Sequence, residues 1–247
     1  MASSKKGSSR FSSTRTHYES YPFIRGGPRR VEHWSSRLLE ALPALPPAGS
    51  TLLDVGCGSG EISECFAQWG CEPTLIDVTD AAVRGTHGRT GFPAVQGDAL
   101  HLPFGDGTFD CGVSIGVLHH TEDCRAGLAE LIRATRGVVV IMVYGSLSAY
   151  RLVYALAGPL RHWVSVEAVE RLPRWVLGII RLTIRLQGRG VMNDHQIHCL
   201  LADSLWSPRV SFFKATTVME WGHEMGIRLI YQKWLMFHGH IFAFSRT

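Results

Sequence analysis

The sequence is short of lysine, of paired cysteines and of long apolar runs, and each shortage excludes something. Lysine occurs only at positions 5, 6, 214 and 233 of 247 residues, so the net charge of +4 rests on arginine. An arginine bias of this kind follows from GC-rich codon usage and does not by itself indicate nucleic-acid binding. Six cysteines (57, 65, 71, 111, 124 and 199) stand singly, with no Cys-x-x-Cys pair. That pattern leaves no zinc or dithiol motif and fits free thiols in a reducing compartment; no metal is assigned. No apolar run approaches the roughly 20 residues of a membrane span. The best candidate, Leu172 to Leu186, is broken by Pro173, Arg174, Arg181 and Arg185. The N-terminal MASSKKGSSRFSSTR lacks the apolar stretch of a secretory signal. The expectation is a soluble, cytoplasmic protein, and no internal repeat is visible.

What is present suits one α/β domain with additions. The apolar fraction of 45% is ample for a core. Residues 1–16 are Ser-rich and basic, and are expected to be disordered. The remainder, 17–247, reads as a single domain. Its first part, 17–48, holds Tyr18, Tyr21 and Phe23, then an amphipathic helix around Arg29–Leu42 that Pro43, Pro46 and Pro47 end. Five strand-like runs follow at Thr51–Val55, Thr74–Val78, Ala94–Gln96, Phe109–Ile115 and Val138–Val143. Helical segments separate them over Glu61–Trp69, a short stretch near Ala81–Arg84, and Arg125–Thr135. Strand alternating with helix marks a parallel, doubly wound sheet. Residues 146–205 read as a helical insertion studded with arginine. A helix over Val218–Met225 and strands at Arg228–Leu235 and His240–Phe244, turning at Gly239, close the chain.

Chemistry concentrates at the strand ends. Leu53-Asp54-Val55-Gly56-Cys57-Gly58-Ser59-Gly60 ends the first strand and opens a helix. Glycines permit φ > 0 and let a ligand lie on bare backbone, while the helix N-terminus offers unpaired N–H groups. Alone, such a loop is a weak signal, with a tight turn without a ligand as the alternative. Asp77 ends the second strand about twenty residues on, where nucleotide-binding α/β folds place a carboxylate for ribose hydroxyls. Asp98 and Ala99 end the third strand, and Ser114-Ile115 ends the fourth, followed by His119 and His120. The glycines run G-x-G-x-G behind an acidic residue. This differs from the G-x-G-x-x-G pyrophosphate cradle of dehydrogenases, and Asp54 suits a cationic ligand.

The runs LLDVGCGSG, LIDVT and VQGDALHLPFGDGTFDCGVSIGVLHHTED resemble the class I S-adenosylmethionine-dependent methyltransferases. They are most similar to the small-molecule group around the ubiquinone and menaquinone biosynthesis methyltransferases. The resemblance covers about residues 50–143. It implies a Rossmann-like, doubly wound, mostly parallel seven-stranded sheet, with the helical insertion after strand five. The last strand would be antiparallel and enter through a hairpin. It assigns Asp54 to the amino end of S-adenosyl-L-methionine, and Gly56, Cys57, Gly58 and Gly60 to its ribose and methionine part. Asp77 and Val78 would hold the ribose, Asp98 and Ala99 the adenine, and Ser114 and Ile115 would lie beside the methionine moiety.

The acceptor side is read from the residues. His120, and less so His119, are candidates for a base or for orienting the acceptor; packing is the alternative, with Thr121, Glu122 and Asp123 capping the next helix. Tyr18 and Tyr21 are candidate acceptor contacts on a lid over the pocket, or anchors for the first helix. Residues 151–190 hold seven arginines against two glutamates, a local balance of +5. With Trp163, Trp175 and many aliphatics, this segment fits a cap over a lipophilic small-molecule acceptor; a peripheral membrane contact, a dimer interface and a solvated basic face are the alternatives. Residues 203–209 are similar to the acceptor-side region of the resembled family. His195 and His198 lack a third ligand. Nucleic acid is not the expected substrate: no N-P-P-Y-type tetrapeptide follows strand four, and the arginines interleave with apolar residues. RNA or DNA methylation and non-catalytic cofactor binding stand as the alternatives.

Overall fold

The computed structural model describes residues 5–22, 28–42, 46–186, 193–235 and 237–246. Residues 1–4 of the N-terminal tail, 23–27 and 43–45 of the predicted lid, and 187–192 of the insertion lie outside them. Seven strands form one sheet: β1 (Thr51–Val55), β2 (Glu72–Asp77), β3 (Ala94–Gln96), β4 (Phe109–Ile115), β5 (Thr135–Tyr144), β6 (Arg228–Leu235) and β7 (Gly239–Ser245). Their order is β3-β2-β1-β4-β5-β7-β6. β1 pairs in parallel with β2 and β4, and β4 with β5, while β7 runs antiparallel to both β5 and β6. The order reverses at β1, and open α/β sheets bind ligands beside such a reversal.

Alternation within each strand feeds two cores. Leu53, Val55, Val139, Ile141, Val143, Phe242 and Phe244 face one way, onto Leu128, Leu131 and Ile132 of α5 (Cys124–Ala134) and Val218 of α10 (Ala215–Glu224). Leu52, Val113, Val140, Met142, Ile241 and Ala243 face the other. They meet Val31 and Leu38 of α2 (Pro28–Ala41) and Cys65 and Phe66 of α3 (Glu61–Gln68). Helices thus cover both faces of the sheet, and the continuous apolar run of β5 is the sequence mark of that double cover. Asp54 falls on the α3 side by the same alternation.

Two elements differ most from the sequence reading, while β2, β5 and α10 begin two or three residues earlier than expected. α1 spans Lys5–Ser20 as a helix, where composition predicts disorder over 1–16. Near its C-terminal end Tyr18 donates to Asp203, a long-range contact that composition does not reveal. α4 runs over Asp80–Thr90, well beyond the predicted Ala81–Arg84. Gly85 and Gly88 interrupt its pattern. Thr79 caps its start, accepting from the Ala82 N–H, and Gly91 in the left-handed region ends it.

Between β5 and α10 lie α6 (Ala149–Leu156), α7 (Gly158–Trp163), α8 (Arg174–Leu186) and α9 (Asp194–Trp206). Leu177 of α8 and Ile197 of α9 make a small core of their own with Leu172, Ile180, Leu200 and Leu201. No described helix is long and apolar enough to cross a membrane.

α10 approaches β7 closely at Gly222, where a Cβ would stand 2.5 Å from the Phe244 ring. Gly222→Val is therefore expected to cost about 1–3 kcal/mol by overpacking. Urea unfolding measures it, and a variant as stable as the wild type would refute the close contact.

Candidate active site

A cavity of about 680 Å³ opens at the carboxyl ends of β1 to β4. Its floor at one end is the glycine loop. Gly56, Gly58 and Gly60 have φ of 77°, 48° and 77°, in the left-handed region that glycine enters freely. A Cβ on Gly56 would also lie 2.4 Å from the Val117 side chain. The loop is pinned from β2: the Gly56 and Cys57 N–H groups donate to the Ile76 carbonyl, at 2.8 and 3.1 Å. Asp77 accepts from the Gly58 N–H at 3.0 Å, and from the Thr79 N–H and hydroxyl at 3.0 and 2.9 Å.

Asp54 is 2% exposed and lines the cavity, with a single side-chain donor: Ser63 of α3 gives its hydroxyl proton at 2.6 Å. Burial pushes the Asp54 carboxyl up to about 7, against the Ser63 hydrogen bond and with the negative Asp77 adding to the rise. A buried carboxylate with open coordination beside bare glycine backbone is chemically suited to an ammonium or other cationic group. Asp98 closes the far side, its carboxylate accepting from the Leu100 N–H at 2.9 Å, with Ala99 next to it on the cavity wall.

Among the predicted ligand contacts, Asp54, Gly56, Cys57, Gly58, Asp77, Val78, Asp98, Ala99 and Ile115 all line the cavity. Gly60 and Ser114 do not. Gly60 begins α3 and gives its N–H to the Cys57 carbonyl, so it shapes the loop from behind. Ser114 is fully buried and donates to the Val55 carbonyl at 3.0 Å, bracing β4 against β1.

The other end of the cavity gathers residues far apart in sequence. The chain leaves β4 in a 3-10 turn over Leu118–His120, which sends the two histidines to different fates. His120 lines the cavity, and its Nδ1 lies 2.7 Å from the Arg209 carbonyl and 3.1 Å from the Ser207 hydroxyl. A carbonyl only accepts, so Nδ1 carries the proton and Nε2 keeps its lone pair. Burial lowers the His120 pKa, partly offset by Asp203. His119 is fully buried instead, stacked on Tyr144 with ring centroids 3.7 Å apart, and neither of its ring nitrogens has a hydrogen-bond partner. Burial holds it well below the usual histidine range, so it packs as a neutral ring.

Tyr18 of α1 also reaches the cavity, donating to Asp203 of α9 at 2.9 Å, with its ring edge-on to His120. Tyr21 is not in the lining and contacts His17. Tyr144, Tyr150, Asp203, Trp34 and His238 join the wall. Of these, Asp203 belongs to the stretch 203–209 that the sequence reading places on the acceptor side by resemblance, whereas Tyr144, Tyr150, Trp34 and His238 were not singled out. Asp203 is 185 positions from Tyr18, and no local pattern links them. Among the described residues no group of three or more His, Cys, Asp or Glu could hold a metal, and His195 lies beside Cys199.

Comparison with known proteins agrees with this architecture. Residues 53–141 match the protein family described as "Methyltransferase domain". The demethylmenaquinone methyltransferase of Thermobifida fusca is 36% identical over 127 residues, covering 48% of this chain and 52% of that protein. A tRNA (carboxymethyluridine(34)-5-O)-methyltransferase of Xenopus tropicalis is 38% identical over 115 residues, 42% of this chain but 17% of that protein. Magnesium protoporphyrin IX methyltransferase from Synechocystis, solved with bound SAH, superposes with a TM-score of 0.58 at 15% identity, over 98% of this chain and 96% of that one. The chain spans about half the length of the demethylmenaquinone methyltransferase it matches. Its fold is the class I methyltransferase fold. Its core segment is similar in sequence to the methyltransferases of menaquinone biosynthesis.

Asp54 generates a test. A group that must be ionised to hold a cation, and that titrates near 7, makes affinity depend on pH. Binding of an ammonium-bearing adenosyl ligand is expected to tighten by up to about tenfold per unit from pH 5.5 to 7, then level off. Without ligand the sign reverses: the raised pKa means that folding stability falls as pH rises from 4 to 7. Asp54→Asn should therefore weaken ligand binding at pH 7.5 by tenfold or more, yet leave the unliganded Tm no lower. Calorimetric titration and thermal melts check both, and pH-independent affinity in the wild type would sink the assignment.

Proposed function

We propose that this protein transfers the methyl group of S-adenosylmethionine to a small, lipophilic, quinone-like acceptor. The observation that carries the reading is one cavity joining two unlike ends. One end is a glycine loop flanked by Asp54, Asp77 and Asp98, and the other is an aromatic chamber holding His120. The relatives in menaquinone biosynthesis support the acceptor class, since the chamber's Tyr18, Tyr144 and Tyr150 offer flat apolar faces.

The residues present fit the donor. Asp54 would meet its ammonium, Asp77 and Val78 its ribose, and Asp98 and Ala99 its adenine, with the glycine backbone leaving room. Bound there, the sulfonium supplies an electrophilic methyl group whose departure leaves a neutral thioether. The chain's own work is alignment and exclusion of water, worth roughly 7–11 kcal/mol when the geometry is productive. Tyr18 and Asp203 close the chamber through their hydrogen bond. For a hydroxyl or amine acceptor, His120 Nε2 takes the proton as the acceptor's electron pair forms the new bond to carbon. The Arg209 carbonyl, holding Nδ1–H, steadies the imidazolium that results.

The His120→Ala variant is expected to lose about 10²–10⁴-fold in kcat while retaining cofactor affinity. Turnover within threefold of wild type would remove His120 as base and leave an acceptor that is already ionised. The broader reading is tested by incubating the protein with methyl-labelled S-adenosylmethionine and an extract of its own organism. A labelled, solvent-extractable small product is expected. Label in tRNA, as the Xenopus relative's name would favour, or in no fraction at all, would overturn it.

A further inference from the structure

The helical insertion spends apolar side chains on its outside. On α8, Leu177 and Ile180 turn inward and close the insertion's small core against Ile197. Trp175, Ile179 and Leu182, four and three residues apart, form a stripe along another side of the same helix, and all are exposed, Trp175 by 70%. α6 repeats the arrangement: Tyr150 is buried, whereas Leu152 and Leu156 are exposed. Trp163, ending α7, is 89% exposed. Leu147, just before α6, and Leu152 and Ala155 on it make an open shelf with Trp234 of β6.

Charge decides what covers such a face. Between positions 146 and 186 there are six arginines and only two acids, Glu167 and Glu170. Arg151, Arg171 and Arg174 are exposed, while Arg181 is paired with Asp194 of α9. A second copy docking through the same face would set arginine against arginine, because a two-fold interface pairs a patch with itself. An anionic bilayer complements both features at once: headgroup phosphates meet the guanidiniums, while tryptophan and aliphatic side chains enter the interfacial layer.

We propose that α6 to α8 form a docking face that seats on an anionic phospholipid bilayer. The insertion also supplies Tyr150, Leu200, Asp203 and Ser204 to the cavity wall. Docking therefore brings the wall of the acceptor chamber to the lipid, a link that rests on the lipophilic acceptor proposed above.

Flotation of the full chain with vesicles tests the docking without any turnover. Vesicles of phosphatidylcholine with phosphatidylglycerol are expected to carry roughly ten times more protein than phosphatidylcholine alone, with the excess lost in high salt. A triple variant, W175S/I179S/L182S, and separately R171E/R174E, should each cut anionic-vesicle binding by roughly tenfold. Both should keep the wild-type Tm and S-adenosylmethionine affinity. Absence of binding, equal binding to both vesicles, or folded variants that float like wild type would each overturn the proposal. So would a wild-type dimer in light scattering that the triple variant abolishes. None of these outcomes touches methyl transfer to a water-soluble acceptor, which is measured separately.

Discussion

Asp77 ends β2 with its carboxylate turned onto the glycine loop, and three donors converge on it: the Gly58 N–H and both the N–H and hydroxyl of Thr79. One side chain thereby fixes the loop after β1 and the entry into α4. The second anchor, the Ile76 carbonyl, belongs to the same strand end. Burial raises the Asp77 pKa, and these hydrogen bonds pull against it. A carboxylate so used is a structural keystone before it is a ligand contact. With three donors already in place, limited acceptor capacity remains for a sugar. The left-handed glycines hold their shape because β2 imposes it, so the loop meets a ligand already formed.

The two ends of the cavity are tuned by the same physical cause acting in opposite senses. Desolvation raises an acid and lowers a base, so both Asp54 and His120 are pushed towards neutrality. For Asp54 the shift is reversible by design of the ligand: a cation arriving at the carboxylate restores its charge and gains a strong partner. In the proposed reaction His120 has to stay neutral. An imidazolium already present before reaction would oppose a sulfonium in the same low-dielectric chamber, and would have no lone pair to accept a proton. A neutral histidine whose Nδ1–H is held by a backbone carbonyl meets both needs.

Most of the sheet was legible because its signal is local. β1, β3, β4 and β6 fall where their apolar runs lie, and the G-x-G-x-G loop and the aspartates at strand ends are visible as local motifs whose roles the family resemblance supplies. Three things were not legible. α4 is longer than its pattern because Gly85 and Gly88 dilute the periodicity that Thr79 and Gly91 bracket. His119 and His120 are adjacent in sequence, and only the geometry of one 3-10 turn sends the first into the packing and the second to the cavity. Of the acceptor end, Tyr18, His120 and the stretch 203–209 were each marked by sequence, and what stayed hidden is that these three places meet. Their association depends on how α1 and α9 dock, which no periodicity encodes.

That docking divides the cavity between parts of unequal strength. The donor end is built on β1, β2 and β4, whose side chains belong to the two large cores covering the sheet. The acceptor end leans on an insertion whose own core is the small Leu177–Ile197 cluster. Polar contacts tie that insertion to the rest of the chamber, Tyr18 to Asp203 and, just past its end, His120 to Ser207, while Tyr150 bonds the Ser204 carbonyl within it. Regions with few buried apolar contacts open at lower free energy than the cores beside them. Under the proposed function, the chamber would admit an acceptor and release its product by loosening the insertion, while the glycine loop keeps its grip on the donor. The proposed reaction, with one polar cation bound tightly and bulky apolar molecules exchanged past it, calls for that asymmetry.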